Sequence, residues 1–326
     1  MDRRTLIGGA AVGLFAWPLV VRSQKSAIPQ IGFLSSGSSA QWARSVAGFQ
    51  QGLNEVGYVE RKNVAIEYRW AEGHYERLPA LATDLVGRHI SVLLATGGVA
   101  AMAAKSATST IPIVFTVGND PVQLGLVAGL NRPRGSATGV SIVTTDLLAK
   151  RLELVHELVP KANMIALLMN PGAADMETQV RRMQEAARSL GLQLHVLRAS
   201  TEQDIDTAFA AIVQLRAHAL VVASDPFLNS RRQQLVGLAE RHAVPAIFDL
   251  REVVISGGLM SFGVDLPEAY RQAGIYAGKI LNGAKPGDLP VLQPTKFELV
   301  INLKTARALG LTIPQSLLLR ADQVIQ

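Results

Sequence analysis

The sequence predicts an α/β protein of two lobes, each a doubly wound parallel sheet, joined by a three-segment hinge. Residues 91–120 show the unit from which each lobe is built: an apolar run, an Ala-rich helical pattern and a second apolar run. Continuous apolar runs of strand length are typical of parallel strands that are buried on both faces. The same plan returns in the second half of the chain, and 326 residues are enough for two domains.

The first half alternates strands and helices in a regular order. Residues 31–35 form an apolar strand followed by a Ser-rich loop, and apolar residues at helical spacing follow over 46–56. A strand with one more polar face is predicted at 63–70, and a helix over 75–86 leads into the unit at 91–120. The Pro- and Gly-containing stretch 133–139 is typical of a connection, so it predicts the passage to the second half.

The second half repeats this order and ends in shorter elements. Strands are predicted at 164–169, 192–198, 219–223, 245–248, 259–262 and 297–301, with helices between them and a long amphipathic helix over 266–281. Crossover handedness predicts that both sheets are parallel. We expect lobe 1 to comprise 24–140 plus 258–290 and lobe 2 to comprise 141–257 plus 291–326. The chain would then cross the hinge near residues 140, 257 and 290.

The first 23 residues are typical of an export signal rather than of the fold. Arg3 and Arg4 form a twin-Arg pair, an apolar segment broken by Pro18 follows, and Val21 and Ser23 fit a cleavage site. The sequence therefore predicts a periplasmic protein exported with a cleavable N-terminal signal of the twin-arginine type. The chain contains no Cys, which is compatible with an oxidising compartment.

Several kinds of chemistry lack their usual sequence patterns. The six His residues show no metal-ligand spacing, and neither a Gly-x-Ser-x-Gly elbow nor a phosphate-binding Lys loop occurs. We therefore expect no catalytic residue, no metal and no cofactor. The net charge is +6, but no run of five like charges occurs, so we expect no nucleic-acid partner.

Small and polar residues follow the predicted strands, where open parallel sheets bind ligands. The candidate ligand-binding residues are Ser35, Ser36, Trp42, Thr96, Gly97, Gly98, Thr116, Asn119, Asp120, Asn170, Asp225 and Asp249. A helix starting at Gly98 would offer free N–H groups to a carboxylate. Asp225 or Asp249 could pair with an ammonium group. Trp42 or Phe227 could cover an apolar side chain.

The chain resembles a known family in several segments. They are the export signal, the strand that starts at Ile31, the turn at 94–97, the run 224–227, and the block 296–314, which is the most specific of them. Together they are similar to ABC transporter substrate-binding proteins of the tryptophan-binding type. The resemblance implies a type I periplasmic binding fold whose lobes close on a ligand and then dock on a permease. It also implies that Thr96–Gly98 and Thr116 hold an amino-acid carboxylate.

The expected function is therefore capture without catalysis. A small carboxylate-bearing ligand, an amino acid or an aromatic acid, would bind between the lobes of a monomer and be delivered to an ABC permease in the inner membrane. Two alternatives stay open from the residues. One is a periplasmic enzyme with Asp225 or Asp249 as general base, and the other is a ligand-sensing domain for a signalling partner.

Overall fold

The computed structural model describes residues 28–142, 144–294 and 296–326, except for the side chains of 144–146. The export signal predicted at 1–23 lies outside these residues. Within the described ranges, no helix combines the length and the apolar character needed to cross a membrane.

Five parallel strands form the sheet of the first lobe. They are β1 (Gln30–Ser35), β2 (Ala65–Trp70), β3 (Val92–Thr96), β4 (Ile113–Val117) and β5 (Ala137–Ser141), in the order β2-β1-β3-β4-β5. Every residue of β3 and β4 is buried, as their continuous apolar runs predict. The prediction of a connection at 133–139 was wrong in its last residues, because the stretch from Ala137 pairs with β4 as an edge strand.

Seven strands form the sheet of the second lobe. They are β6 (Met164–Met169), β7 (Gln193–Arg198), β8 (Ala219–Val222), β9 (Ala246–Phe248), β10 (Met260–Val264), β11 (Phe297–Asn302) and β12 (Gln323–Ile325), in the order β12-β11-β10-β9-β8-β6-β7. Two parallel-sheet lobes are thus confirmed. The expectation of purely parallel sheets was wrong at one pair, since β11 runs antiparallel to β10.

Helices flank both sheets. In chain order the helices of the described residues are α1 (Ser39–Glu55), α2 (Leu78–Gly87), α3 (Gly98–Ala107), α4 (Thr144–Leu158), α5 (Met176–Ser189), α6 (Glu202–Leu215), α7 (Pro226–Ser230), α8 (Arg232–Arg241), α9 (Arg251–Ile255), α10 (Leu266–Leu281), α11 (Leu303–Ala308) and α12 (Gln315–Arg320). On the first sheet, α1 and α10 share one apolar layer with β1, β3 and β4, and α2 and α3 share the layer on the other face.

The chain crosses between the lobes three times. It leaves the first lobe after β5, returns between β10 and α10, and leaves again after Leu292, which forms a parallel bridge with Val140 beside β5. The second crossing differs from the expected position near residue 257. Residues 258–264 belong with the second sheet because β10 pairs with β9 on one side and with β11 on the other.

Glycines allow α1 and α10 to pack backbone against backbone. A Cβ added at Gly52 would lie 1.9 Å from the carbonyl oxygen of Arg271, and one at Gly274 would lie 2.2 Å from that of Phe49. A Cβ added at Gly48 would likewise lie 2.3 Å from the carbonyl oxygen of Pro267. Real Cβ atoms cannot approach a backbone oxygen so closely, so this glycine seam fixes the spacing of the two helices.

We expect Gly52→Ala to lower the free energy of unfolding by about 1–3 kcal/mol, because the added methyl group must push α1 and α10 apart. Urea unfolding followed by circular dichroism measures the change. Gly237→Ala is the matched control: Gly237 is exposed inside α8 with nothing within 4 Å of its added Cβ. That control should gain about 0.5–1 kcal/mol. Equal stability of the two variants would contradict close helix contact at Gly52.

Candidate functional site

A cavity lies between the carboxyl ends of the strands of the two lobes. It encloses about 890 Å³ of space free of protein atoms, part of which is open to solvent. Its walls come from the ends of β1, β3 and β4 in the first lobe and from residues after β8 and β9 in the second. The position is the one at which open parallel sheets bind ligands.

The structure brings ten of the twelve candidate residues to this cavity. They are Ser35, Ser36, Trp42, Thr96, Gly97, Gly98, Thr116, Asn119, Asp225 and Asp249. Asp120 lies outside it, exposed, and its carboxylate accepts hydrogen bonds from the backbone N–H groups of Val122 and Gln123. Phe227 also lies outside, with its ring 5.7 Å from the guanidinium of Arg231.

Asn170 is buried behind the cavity rather than in its wall. Its amide nitrogen donates to Asp225 Oδ1 at 3.1 Å, and its carbonyl oxygen accepts from the Gly172 N–H at 2.8 Å. The side chain therefore orients Asp225 and the loop after β6.

Hydrogen bonds within the protein occupy both oxygens of Asp225. Oδ1 also accepts from the Leu228 N–H as the cap of α7, and Oδ2 accepts from the Tyr75 hydroxyl at 2.7 Å. Burial raises the pKa of the Asp225 carboxyl, while the bonds from Tyr75 and Asn170 act in the opposite direction. Asp225 thus has little capacity left for a ligand.

Asp249 differs from Asp225 because one of its oxygens is unused. Oδ2 accepts from the amide of Asn229 at 3.0 Å, whereas the buried Oδ1 has no hydrogen-bond partner in the described part of the chain. Burial raises the pKa of this carboxyl, while the nearby cation of Arg151, the Asn229 amide and the Ser224 hydroxyl oppose that rise. Asp249 is therefore the acid with an acceptor free for a ligand.

Arg151, in α4, provides the matching positive charge. Its side chain is fully buried, with Nε donating to the Phe262 carbonyl at 2.8 Å and Nη2 to Ser224 Oγ at 3.0 Å. Its Nη1 meets no acceptor within residues 28–142, 144–294 and 296–326. Burial lowers the pKa of Arg151 to about 10, so the guanidinium stays charged at neutral pH. A buried donor left unpaired is costly, and a ligand anion at this position would remove the cost.

Sequence reasoning missed Arg151, although the sequence contains a signal for it. Leu147, Leu148, Leu152 and Val155 form the buried face of α4, and Arg151 lies on that same face. A charged residue among apolar residues at helical spacing is buried, and a buried charge needs a partner.

Hydroxyl groups line the first-lobe side of the cavity. Thr116 Oγ1 is buried and has no hydrogen-bond partner among the described residues, while Ser36 Oγ donates to the Thr96 carbonyl at 3.4 Å. α3 begins beside them at Gly98, after Gly97 with a φ of 95°. The first backbone N–H groups of a helix have no partner inside the helix, so this edge suits an anionic group.

Two tyrosines that the sequence analysis missed complete the cavity. Tyr270 from α10 stacks on Trp42 with the ring centroids 6.1 Å apart, and Tyr75 reaches across to Asp225. Tyr270 is buried and Tyr75 is half-buried against distant parts of the chain, so sequence spacing does not show that they reach this cavity. Trp42 and Tyr270 give the cavity one flat aromatic wall.

Polar contacts join the lobes around the cavity. Tyr75 and Asp225 form one, the amide of Asn119 donates to Asp175 at 2.5 Å, and that of Gln41 donates to the Pro226 carbonyl at 3.3 Å. These contacts require the two lobes to be close together, so the structure is of the closed form.

Metal-ligand clusters of three or more His, Asp or Glu side chains are absent from the described residues.

Comparison with known proteins agrees with this architecture. The family model for ABC transporter substrate binding protein matches residues 33–325. A tyrosine-binding protein of Clostridioides difficile is 30% identical over 266 residues, which is 81% of this chain and 76% of that protein.

Two solved structures extend the comparison. One is an ABC domain from Streptococcus pneumonia in complex with L-Trp, with a TM-score of 0.82, 28% identity, and coverage of 91% of this chain and 99% of that one. The other is the ligand-free, open structure of a substrate-binding protein with adhesive properties from Clostridium difficile, with a TM-score of 0.64, 25% identity, and coverage of 92% and 100%. The type I periplasmic binding fold is thereby confirmed. The chain belongs to the family of ABC transporter substrate-binding proteins.

Proposed function

We propose that this protein captures an α-amino acid in the cavity between its lobes and delivers it to an ABC permease. The observation that supports this most is the pair of unused charged atoms, Arg151 Nη1 and Asp249 Oδ1, at one cavity. A free α-amino acid has a carboxylate and an ammonium group on the same carbon. It would pair each of its charges with a buried charge of the opposite sign.

The ligand carboxylate would lie toward Arg151, Thr116 and the start of α3. This arrangement adds Arg151 to the expected set of Thr96, Gly97, Gly98 and Thr116. The ammonium group would bind Asp249 rather than Asp225, because the oxygens of Asp225 already accept hydrogen bonds from the protein. A site that offers both charges would reject ligands that have only one of them.

We further propose that the side chain of the ligand is aromatic. The stacked rings of Trp42 and Tyr270 offer a flat apolar surface, and aromatic rings gain from offset or edge contacts with such a surface. The relatives support this choice, since one is named for tyrosine and another holds L-Trp.

The closed form is the state that a permease would recognise. Contacts such as Tyr75–Asp225 and Asn119–Asp175 form only when the lobes meet, and a ligand that bridges the lobes would favour that state. The resemblance of the first 23 residues to an export signal supports action in the periplasm after twin-arginine export and cleavage, where the protein would act as a monomer.

A thermal-shift and calorimetry screen of the chain from Gln24 onward tests the proposal. We expect one or a few aromatic amino acids to stabilise the protein by about 2.7 kcal/mol at 100 times their dissociation constant. Phenethylamine and 3-phenylpropionate, which each lack one charge, should give much smaller shifts. Chromatography of the mixture should recover the amino acid unchanged. Turnover would favour an enzyme, and the absence of any shift with amino acids would overturn the proposed ligand class.

Tyr75→Phe should weaken amino-acid binding by roughly 10- to 150-fold, because a hydrogen bond to a carboxylate contributes about 1.5–3 kcal/mol and this one exists only in the closed form. Calorimetry gives the affinity, and small-angle scattering gives the fraction of closed protein at subsaturating ligand. Tyr58→Phe is the control, since Tyr58 bonds Asn282 at 3.0 Å within the first lobe. Equal affinities of both variants and the wild type would contradict a role of Tyr75 in closure.

A further inference from the structure

A second, smaller cavity lies next to the ligand cavity. It has about 380 Å³ of space free of protein atoms, part of which is open to solvent, between the first turns of α1 and the second lobe, where Arg232 and Val253 contribute to its wall. Four residues line both cavities, namely Trp42, Asn229, Leu250 and Leu266. The two spaces are therefore neighbours with a shared wall, and Trp42 is the largest side chain in that wall.

Packing holds the indole of Trp42 in this wall. One of its faces stacks on Tyr270, and a Cβ added at Gly37 would lie only 1.8 Å from the indole nitrogen. The side chain is buried, and its N–H has no hydrogen-bond partner within the described residues. Packing against its neighbours therefore holds the indole ring in place, rather than a hydrogen bond. The backbone of Gly37 leaves the ring no room to turn toward the loop that follows β1.

No side chain of the described residues fills the second cavity. Ser45 and Gln41 contribute polar atoms to its lining, and the buried Oε1 of Gln41 accepts no hydrogen bond from the described residues. Its outer side is formed by an ion pair across the lobes, Arg44 with Glu252 at 3.0 Å. A second, smaller space therefore lies behind Trp42 between the same two lobes, and removal of the indole would add the volume of the ring to it.

We propose that Trp42 is a partition that sets the upper size limit of the ligand by separating the two cavities. With the indole in place, an amino acid must fit within the first cavity. Without it, the side chain of a longer amino acid would extend into the second cavity. This inference rests on the proposed amino-acid function, and it adds the residue that determines which side chains are accepted.

The experiment compares the dissociation constants of two probes, L-tyrosine and the longer 4-benzoyl-L-phenylalanine, by calorimetry. In the wild type the longer amino acid should bind at least tenfold more weakly. Trp42→Ala should lower that ratio by tenfold or more, even where the lost stacking weakens both ligands. Trp42→Leu keeps an apolar side chain on α1 and should shift the ratio in the same direction if Trp42→Ala fails to fold.

Ser45→Met provides the matched control, because Ser45 lines only the second of the two cavities. Alone, it should leave the ratio unchanged. Combined with Trp42→Ala, it should refill the second cavity and restore discrimination. An unchanged ratio in both Trp42 variants, with L-tyrosine still bound by the wild type, would overturn the partition alone. Failure of the wild type to bind any amino acid would overturn the proposed function and the partition with it.

Discussion

Arg151→Met is expected to abolish amino-acid binding and to lower the free energy of unfolding by about 3–5 kcal/mol. The substitution removes the free Nη1 offered to the ligand carboxylate and leaves the Asp249 carboxylate buried without its cation. It also removes the bonds to the Phe262 carbonyl and Ser224 that connect α4 with the second sheet. Urea unfolding and calorimetry on the same preparation measure the two losses.

The double variant Arg151→Met with Asp249→Asn separates these two roles. Removing both members of a buried charged pair is far less destabilising than removing one, so we expect part of the lost stability to return. Binding should stay lost, because neither charge of the ligand then has a partner. A double variant that binds the ligand normally would exclude Arg151 from the site.

Asp249→Asn alone is expected to weaken amino-acid binding by roughly 10- to 150-fold, which corresponds to about 1.5–3 kcal/mol for a hydrogen bond to a charged group. Asparagine has nearly the same shape and still accepts the hydrogen bond that Asn229 donates, so the fold should be retained. Asp225→Asn is the matched control. It disturbs the cross-lobe bond from Tyr75, and it should affect amino acids and their deaminated analogues alike, whereas Asp249→Asn should affect only the former.

The pH dependence of binding gives a second readout for Asp249. Because burial raises the pKa of its carboxyl above that of an exposed aspartate, acidification would protonate the acid and remove the proposed partner of the ligand ammonium. Wild-type affinity should therefore fall with decreasing pH before ordinary aspartates are protonated. This fall in affinity should be absent from the pH profile of Asp249→Asn. An identical profile in both proteins would assign the ammonium to another group.

Much of the fold was predictable because buried parallel strands have an unmistakable pattern. The apolar runs ending at Thr96 and Thr116 locate two strand ends, and the topology of a parallel sheet places such ends side by side. For the same reason, most of the candidate residues meet at one cavity. The antiparallel pairing of β10 and β11 was not predictable from the sequence. The residue pattern of a short strand is the same for parallel and antiparallel pairing, and the direction depends on contacts with distant residues.

The parts of the site that the sequence analysis missed depend on contacts between distant residues. Tyr270 and Tyr75 reach the cavity only because α10 packs on α1 and because the lobes close. The choice between Asp225 and Asp249 likewise depends on which oxygens the rest of the chain already occupies. Both acids follow a strand of the second lobe, so position along the chain does not distinguish them.

The glycine seam between α1 and α10 separates ligand choice from lobe motion. Trp42 belongs to α1 and Tyr270 to α10, so the seam holds both rings in one rigid block of the first lobe. Of the groups proposed to hold the ligand charges, Arg151 and Asp249 belong to the other lobe, whereas Thr116 and the start of α3 belong to the first. Under the proposed function, substitutions of Trp42 or Tyr270 would change which amino acid binds and would leave the hinge, Arg151 and Asp249 unchanged.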